Sequence, residues 1–194
     1  MSSNKSETKS KILAAALKLL TSHSGKDVRM SDIAKRAGVS RQAIYLNFES
    51  RTELMIATVQ YGDDVNGAQE QVKPWRDAKG VEKLDTWIAF WGNYLPQIFG
   101  VAKALMLARE TDEAADAAWQ DRMADVRRSC QFTIQSLADE GQLADIWKVK
   151  PAAEMLWSML SVSNFEQLTV DRKWSTKQYV KNMQIGARQM FVRH

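Results

Sequence analysis

The chain has 194 residues, 45% of them hydrophobic, a formal charge of +4 and one cysteine. That is enough apolar material to bury a core, and it excludes a disordered tail and a disulfide-stapled scaffold. No stretch approaches the ~18 apolar residues of a membrane span, and the opening MSSNKSETKSK lacks the apolar centre of a secretory signal, so a soluble cytoplasmic protein that does not engage a membrane is expected.

Ile12, Ala15, Ala16, Leu19 and Leu20 recur at helical spacing and predict a first helix stopping near Ser24-Gly25. A second runs from about Met30 to Ala37, buries Ile33 and Ala37, and stops at Gly38. Ser40 is suited to cap a third over about Arg41 to Phe48, and Ser50 with Glu53 forms a capping box for a fourth from Arg51. Leu54, Ala57, Thr58, Tyr61 and Val65 keep one face of that fourth helix apolar.

The polar interruption KPWRDAKG, bounded by Pro74 and Gly80, is the preferred break in composition. Beyond it, residues 81–94, 96–110, 113–140, 151–170 and 175–192 carry 3.6-period stripes, with breaks at Pro96, Thr111-Asp112, Gly141, Pro151 and Trp174-Ser175. No alternating strand-like run occurs. The fold class expected is all-α: an N-terminal three-helix domain, residues 1–60, and a larger helical-bundle domain, residues 61–194.

Charge is divided unevenly along the chain. Residues 1–60 hold 10 Lys and Arg against 5 Asp and Glu, whereas the remainder holds 17 against 18. A basic module joined to a nearly neutral one suits phosphate binding at one end. Within that module Gly38 supplies a left-handed turn between two short helices, and Ala34 permits their close approach. The second of the pair begins with Arg41 and Gln42, which have the donor geometry to read guanine and adenine edges in a major groove. Tyr45, Asn47 and Arg51 follow where a hydroxyl, an amide and a guanidinium can hold phosphate oxygens. Ile44 and Phe48 are left to pack inward.

The stretch SDIAKRAGVSRQAIYLNFESRTEL resembles the DNA-binding segment of the TetR family of bacterial transcriptional regulators, through its G-V-S turn, its Y-x-x-F ending and the following S-R-x-E-L. The resemblance covers about residues 9–60. It implies base contacts from Ser31, Arg41, Gln42 and Ala43, phosphate contacts from Arg29, Tyr45, Asn47 and Arg51, and a DNA-facing helix opened by Ser40. Asn47 replaces a frequent histidine, and Arg29 stands where a threonine or serine often caps the second helix.

One helix-turn-helix reads few base pairs, so specificity calls for two, spaced about one DNA turn apart by a symmetric homodimer. Met155, Met159, Val162 and Leu168, with Tyr179, Met183, Gly186, Ala187 and Met190, are the candidate self-complementary stripes; intramolecular core is the other account of them. The resemblance implies pairing of the last two long helices and a ligand cavity in the larger domain. Trp87, Trp91 and Tyr94 recur on one helix face and, with Met106, Trp119, Met123, Trp157 and Phe165, are the candidates to contact a small hydrophobic or aromatic effector. Asn93, Gln97 and Asn164 are possible orienting groups. Aromatics and methionine are bulky core fillers, and for each of those residues taken singly the core is the first account; the grouping on one face is what points to a ligand.

An enzyme lacks its parts. His23 and His194 have no metal-ligand cluster or triad around them, no phosphate loop is present, and Cys130, despite Arg127 and Arg128, reads as a packing residue. No metal and no cofactor is expected. The function expected is a ligand-responsive transcriptional regulator, a repressor, binding a palindromic operator in double-stranded DNA. The alternatives are an architectural DNA binder without effector and a helical-bundle enzyme.

Overall fold

The computed structural model describes residues 2–22 and 28–193, with side chains from residue 6. The expected stop at Ser24-Gly25, His23 and His194 lie outside the described residues. The elements are α1 (Ser2–Ser22), α2 (Met30–Ala37), α3 (Arg41–Tyr45), α4 (Arg51–Val65), α5 (Ala68–Gln71), α6 (Lys73–Asp77), α7 (Gly80–Ala108), α8 (Glu113–Asp139), α9 (Val149–Met159), α10 (Val162–Glu166) and α11 (Thr176–Phe191). A π-helical turn, Gln167–Asp171, extends α10. No strand occurs among the described residues, only one bridge between Leu143 and Val192. The protein is all-α.

The chain divides into two compact units. The first comprises Met1–Gly67 with Gln97–Asp121, the second Ala68–Pro96 with Arg122–His194. Residues 97–121 are thus grouped with the N-terminal helices by their contacts rather than by chain order.

In the first unit Ile12, Ala16 and Leu20 of α1 meet Ile33 of α2, Ile44 of α3, Leu54 and Val59 of α4, and Val101 and Ala104 of α7. The apolar period of the sequence is what brings these faces together. In the second unit Leu84, Trp87, Ile88, Trp91 and Leu95 of α7 are buried, as are Cys130, Ile134 and Leu137 of α8, Leu156 of α9 and Tyr179 and Phe191 of α11. Trp75 Nε1 donates to Thr133 Oγ1 at 2.9 Å, and the Trp75 and Trp87 rings lie 5.0 Å apart. The C-terminal helix is tied down by Trp147 Nε1 donating to the Met190 carbonyl at 2.7 Å.

Three predicted boundaries differ from the structure. Pro96 was expected to break a helix, but α7 runs through it. A proline removes one ladder bond, and buried Leu95, Ile98 and Phe99 on either side hold the helix together. The predicted helix over 151–170 divides, because Ser161 accepts from Asn164 N at 3.2 Å and starts α10 anew. The third helix ends at Tyr45 rather than Phe48, followed by a turn in which Asn47 N and Phe48 N both donate to the Ile44 carbonyl at 2.9 Å.

Candidate nucleic-acid interface

Gly38 takes the left-handed conformation, φ 69° and ψ 31°, and its neighbour Val39 donates from N to the Ala34 carbonyl at 3.0 Å, closing α2. Only glycine takes that backbone without cost. Ser40 then opens α3, its hydroxyl accepting from Ala43 N at 3.0 Å. Three residues, Gly38, Val39 and Ser40, therefore redirect the chain from α2 into α3, and the helix-turn-helix follows from local chemistry.

The faces of α3 separate cleanly. Ile44 is fully buried and Phe48 lies in the same core, while Arg41, Gln42 and Tyr45 are exposed, Tyr45 by 44%. Arg41 Nη2 donates to Tyr45 Oη at 3.4 Å, and the Arg41 guanidinium carbon stands 5.7 Å from the Tyr45 ring centroid. Ala43 is half-buried. Asn47, also half-buried, turns its amide back to the helix: Nδ2 donates to the Ala43 carbonyl at 2.8 Å, and Oδ1 is buried without a partner. In this conformation Asn47 secures the end of α3.

Arg29 and Ser31, at the start of α2, are exposed. Where a serine or threonine would cap this helix, Asp32 closes it instead by accepting from Arg29 N at 3.0 Å, so the Arg29 side chain is not needed as a cap. Arg51 is exposed and yet anchored, Nη1 donating to the Val28 carbonyl at 2.7 Å, which links the start of α4 to the segment leading into α2. Ser50 caps α4 as expected by accepting from Glu53 N at 3.0 Å. The returning half of the box differs, because the Glu53 carboxylate accepts from Glu49 N at 2.5 Å rather than from Ser50.

A polar link absent from the sequence reading joins α4 to the start of α8 within the first unit. The buried Thr52 hydroxyl donates to the Asp112 carboxylate, whose other oxygen accepts from Ala114 N at 3.0 Å and Ala115 N at 3.2 Å. The Thr52 hydroxyl, then the Ala115 amide, holds the Asp112 carboxyl below the usual range. An open groove of about 420 Å³ runs along this link, lined by Arg51, Thr52, Met55, Leu107 and Asp112 among others. None of the effector candidates lines it.

Those candidates fall in both units. Trp87, Trp91, Tyr94, Met123, Trp157 and Phe165 belong to the second, Met106 and Trp119 to the first. Trp87 stacks on Trp91 at 6.2 Å, and Trp91 meets Tyr94 at 6.3 Å, so the predicted i, i+4, i+7 stripe is a continuous aromatic wall. Trp91 Nε1 is engaged by the Leu160 carbonyl at 2.7 Å. Phe165 packs edge-on against Tyr179 at 5.1 Å. Met106, Met123 and Trp157 are half-buried, Trp157 lying under the Arg127 guanidinium at 5.6 Å and Trp119 under that of Arg109 at 5.7 Å.

Tyr179 was placed on the self-pairing stripe by sequence, yet it is 0% exposed, with a hydroxyl that has no partner and a pKa that burial pushes up. Cys130 is as deeply buried, and its thiol is pushed up to about 12 by loss of solvent. Among the described residues no group of three or more His, Cys, Asp or Glu is arranged to hold a metal ion, and no helix is long and apolar enough to cross a membrane.

Residues 12–58 match the family model described as bacterial regulatory proteins, tetR family. No curated protein matches the chain by sequence. In fold the chain is similar to a protein from Saccharomonospora viridis assigned as a transcriptional regulator and solved in complex with choline, with a TM-score of 0.82 and 18% identity over 97% of this chain and 100% of that one. It is similar also to SmeT in its triclosan complex, TM-score 0.70 and 18% identity over 96% and 92% of the two chains. NalD of Pseudomonas aeruginosa, the secondary repressor of the MexAB-OprM multidrug efflux pump, matches with a TM-score of 0.66 and 16% identity over 98% of each chain. Likeness at these identities speaks to fold. Residues 12–58 thus carry a helix-turn-helix segment that matches the tetR family of bacterial regulatory proteins, within an all-α fold shared along almost the whole chain with these solved structures.

Proposed function

We propose that the protein acts in the cytoplasm as a ligand-responsive repressor that binds a palindromic operator as a homodimer, with residues 1–60 reading DNA and residues 61–194 taking the effector and pairing the subunits. The observation that carries this is the division of α3, with Ile44 and Phe48 inside and Arg41, Gln42 and Tyr45 in solvent. A short helix whose exposed face carries an arginine and a glutamine at its N-terminal end has the shape and donors for a major groove. Ser31, Arg41, Gln42 and Ala43 take the base edges; Arg29, Tyr45, Asn47 and Arg51 take phosphates, Asn47 through the amide hydrogen that Ala43 does not use.

Pairing is supported by apolar side chains left on α9 and α11: Met155 is 40% and Ile185 50% exposed, with Met159 and Met183 half-buried beside them. Val162, Tyr179 and Ala187 are spent on the core of their own subunit. The effector is a small hydrophobic or aromatic molecule, for which the Trp87, Trp91 and Tyr94 wall supplies contact area. That similar folds have been solved in complex with choline and with triclosan supports a small-molecule effector. A ligand that favours one separation of the two α3 helices shifts the population between DNA-competent and incompetent dimers, with a coupling of ~1–3 kcal/mol.

The test is a thermal-shift screen of metabolites and antibacterials, repeated with bound operator. A ligand that stabilises the free protein and loses part of that stabilisation on operator DNA is expected; ligands that bind equally in both states, or none that bind, would refute the regulatory half of the proposal.

A further inference from the structure

Arg41 and Tyr45 sit one helical turn apart on α3, and both are exposed, so the core does not dictate their posture. They hold each other, through the 3.4 Å hydrogen bond from Arg41 Nη2 to Tyr45 Oη and through the guanidinium placed 5.7 Å from the ring centroid. A flexible arginine loses much rotamer freedom when it engages a base pair. One already leaned on an aromatic face has less to lose.

The proton inventory gives the pair a second property. A phenolic hydroxyl accepts with its lone pairs and donates its own hydrogen. With Arg41 donating to it, Tyr45 still has that hydrogen to give, and an anionic phosphate oxygen is the acceptor that duplex DNA presents beside a recognition helix. The guanidinium keeps donors enough for a bidentate pair on guanine. Asn47 is not equivalent, since its amide bonds the Ala43 carbonyl of the backbone at 2.8 Å and not a base-reading side chain.

We infer that Tyr45 is a positioning and specificity-determining residue as well as a phosphate contact: its hydroxyl accepts from Arg41 while donating to the DNA backbone, so one side chain sets the aim of the base-reading arginine. This rests on the reading of α3 as the DNA-contacting helix. Anchoring to the phosphate fixes the ring, and the ring fixes the guanidinium. Loss of the hydroxyl therefore degrades discrimination as well as affinity.

The experiment uses the full-length protein and its Tyr45→Phe, Arg41→Ala and doubly substituted variants. Each is titrated onto three duplexes: a site selected from random sequence, the same site with the base pair read by Arg41 replaced, and a random duplex. Arg41→Ala identifies that base pair as the one whose discrimination it erases. Tyr45→Phe is expected to weaken all three complexes and, in addition, to cut discrimination at that base pair at least threefold. Adding it to Arg41→Ala is expected to reduce discrimination no further. Equal loss on all three duplexes, with discrimination unchanged, would overturn the inference and leave Tyr45 as a phosphate contact alone. Wild-type protein that fails to prefer any selected site would instead overturn the DNA-reading assignment itself, and with it this inference, before any variant is measured. Unchanged circular dichroism and thermal midpoint are expected for Tyr45→Phe, because Tyr45 contributes nothing to the core.

Discussion

The buried Thr52 hydroxyl of α4 donates to the Asp112 carboxylate, which at the same time caps α8 by accepting from the Ala114 and Ala115 amides. One carboxylate therefore serves two helix starts. Its folded pKa lies below the ordinary 3.8, so its contribution to stability is complete above that value and is lost as pH falls through the folded value. Asp112→Asn is expected to lower the thermal midpoint at pH 7, and the gap between variant and wild type is expected to narrow as the pH is taken below 4. A gap independent of pH, in parallel melts from pH 7 to pH 3, would show that the charge of Asp112 does not matter.

Two arginines flanking the turn separate by role. Arg41 bonds Tyr45 within its own helix, whereas Arg51 holds the Val28 carbonyl. Arg41→Ala is expected to cost ~1–3 kcal/mol on the operator, relax preference at one base pair and leave stability intact. Arg51→Ala is expected to weaken operator and random DNA alike and to destabilise the fold by ~0.5–1.5 kcal/mol through the lost bond to Val28. Fluorescence-anisotropy titrations alongside urea melts distinguish the two.

The second unit contains a hydroxyl that gains nothing from its burial. Tyr179 Oη has no partner, so Tyr179→Phe is expected to be neutral or to stabilise the protein by up to ~1 kcal/mol in urea unfolding. Gly92 lies against the same ring, and a Cβ there would stand 2.6 Å from Val180 Cγ2 and 3.3 Å from Tyr179 Cδ1. Gly92→Ala is expected to cost ~1–3 kcal/mol by overpacking. A destabilised Tyr179→Phe would mean that the hydroxyl has a partner in solution.

Ile185 is half exposed near the end of the chain, on the helix proposed to pair with its copy. Ile185→Glu is expected to convert a dimer into a monomer of unchanged helicity, read by light scattering at micromolar concentration. A monomeric wild type under the same conditions would remove the homodimer.

Local chemistry made the reading head legible. Gly38, Ser40 and Ser50 each specify a turn or a cap within three residues of themselves, and the alternation of Ile44 and Phe48 with Arg41, Gln42 and Tyr45 separates the faces of α3. Legibility failed where distant residues decide. Pro96 reads as a breaker, but burial on both sides of it keeps α7 continuous. Asp112 reads as part of the helix break at Thr111-Asp112; its partner Thr52 is 60 residues away. Tyr179 fitted an apolar stripe equally well as core or as interface, and only packing against Phe165 and Gly92 places it in the core. The grouping of residues 97–121 with the N-terminal helices has no local signature at all.

The most direct test of the central claim is selection of binding sites from a pool of random duplexes by the full-length protein. Convergence is expected on an inverted repeat whose half-sites are about one helical turn, ~10 base pairs, apart, and that convergence is expected to be lost when Arg41 and Gln42 are both replaced by alanine. A folded wild-type protein that enriches no sequence, or enriches the same one without those two side chains, would contradict it.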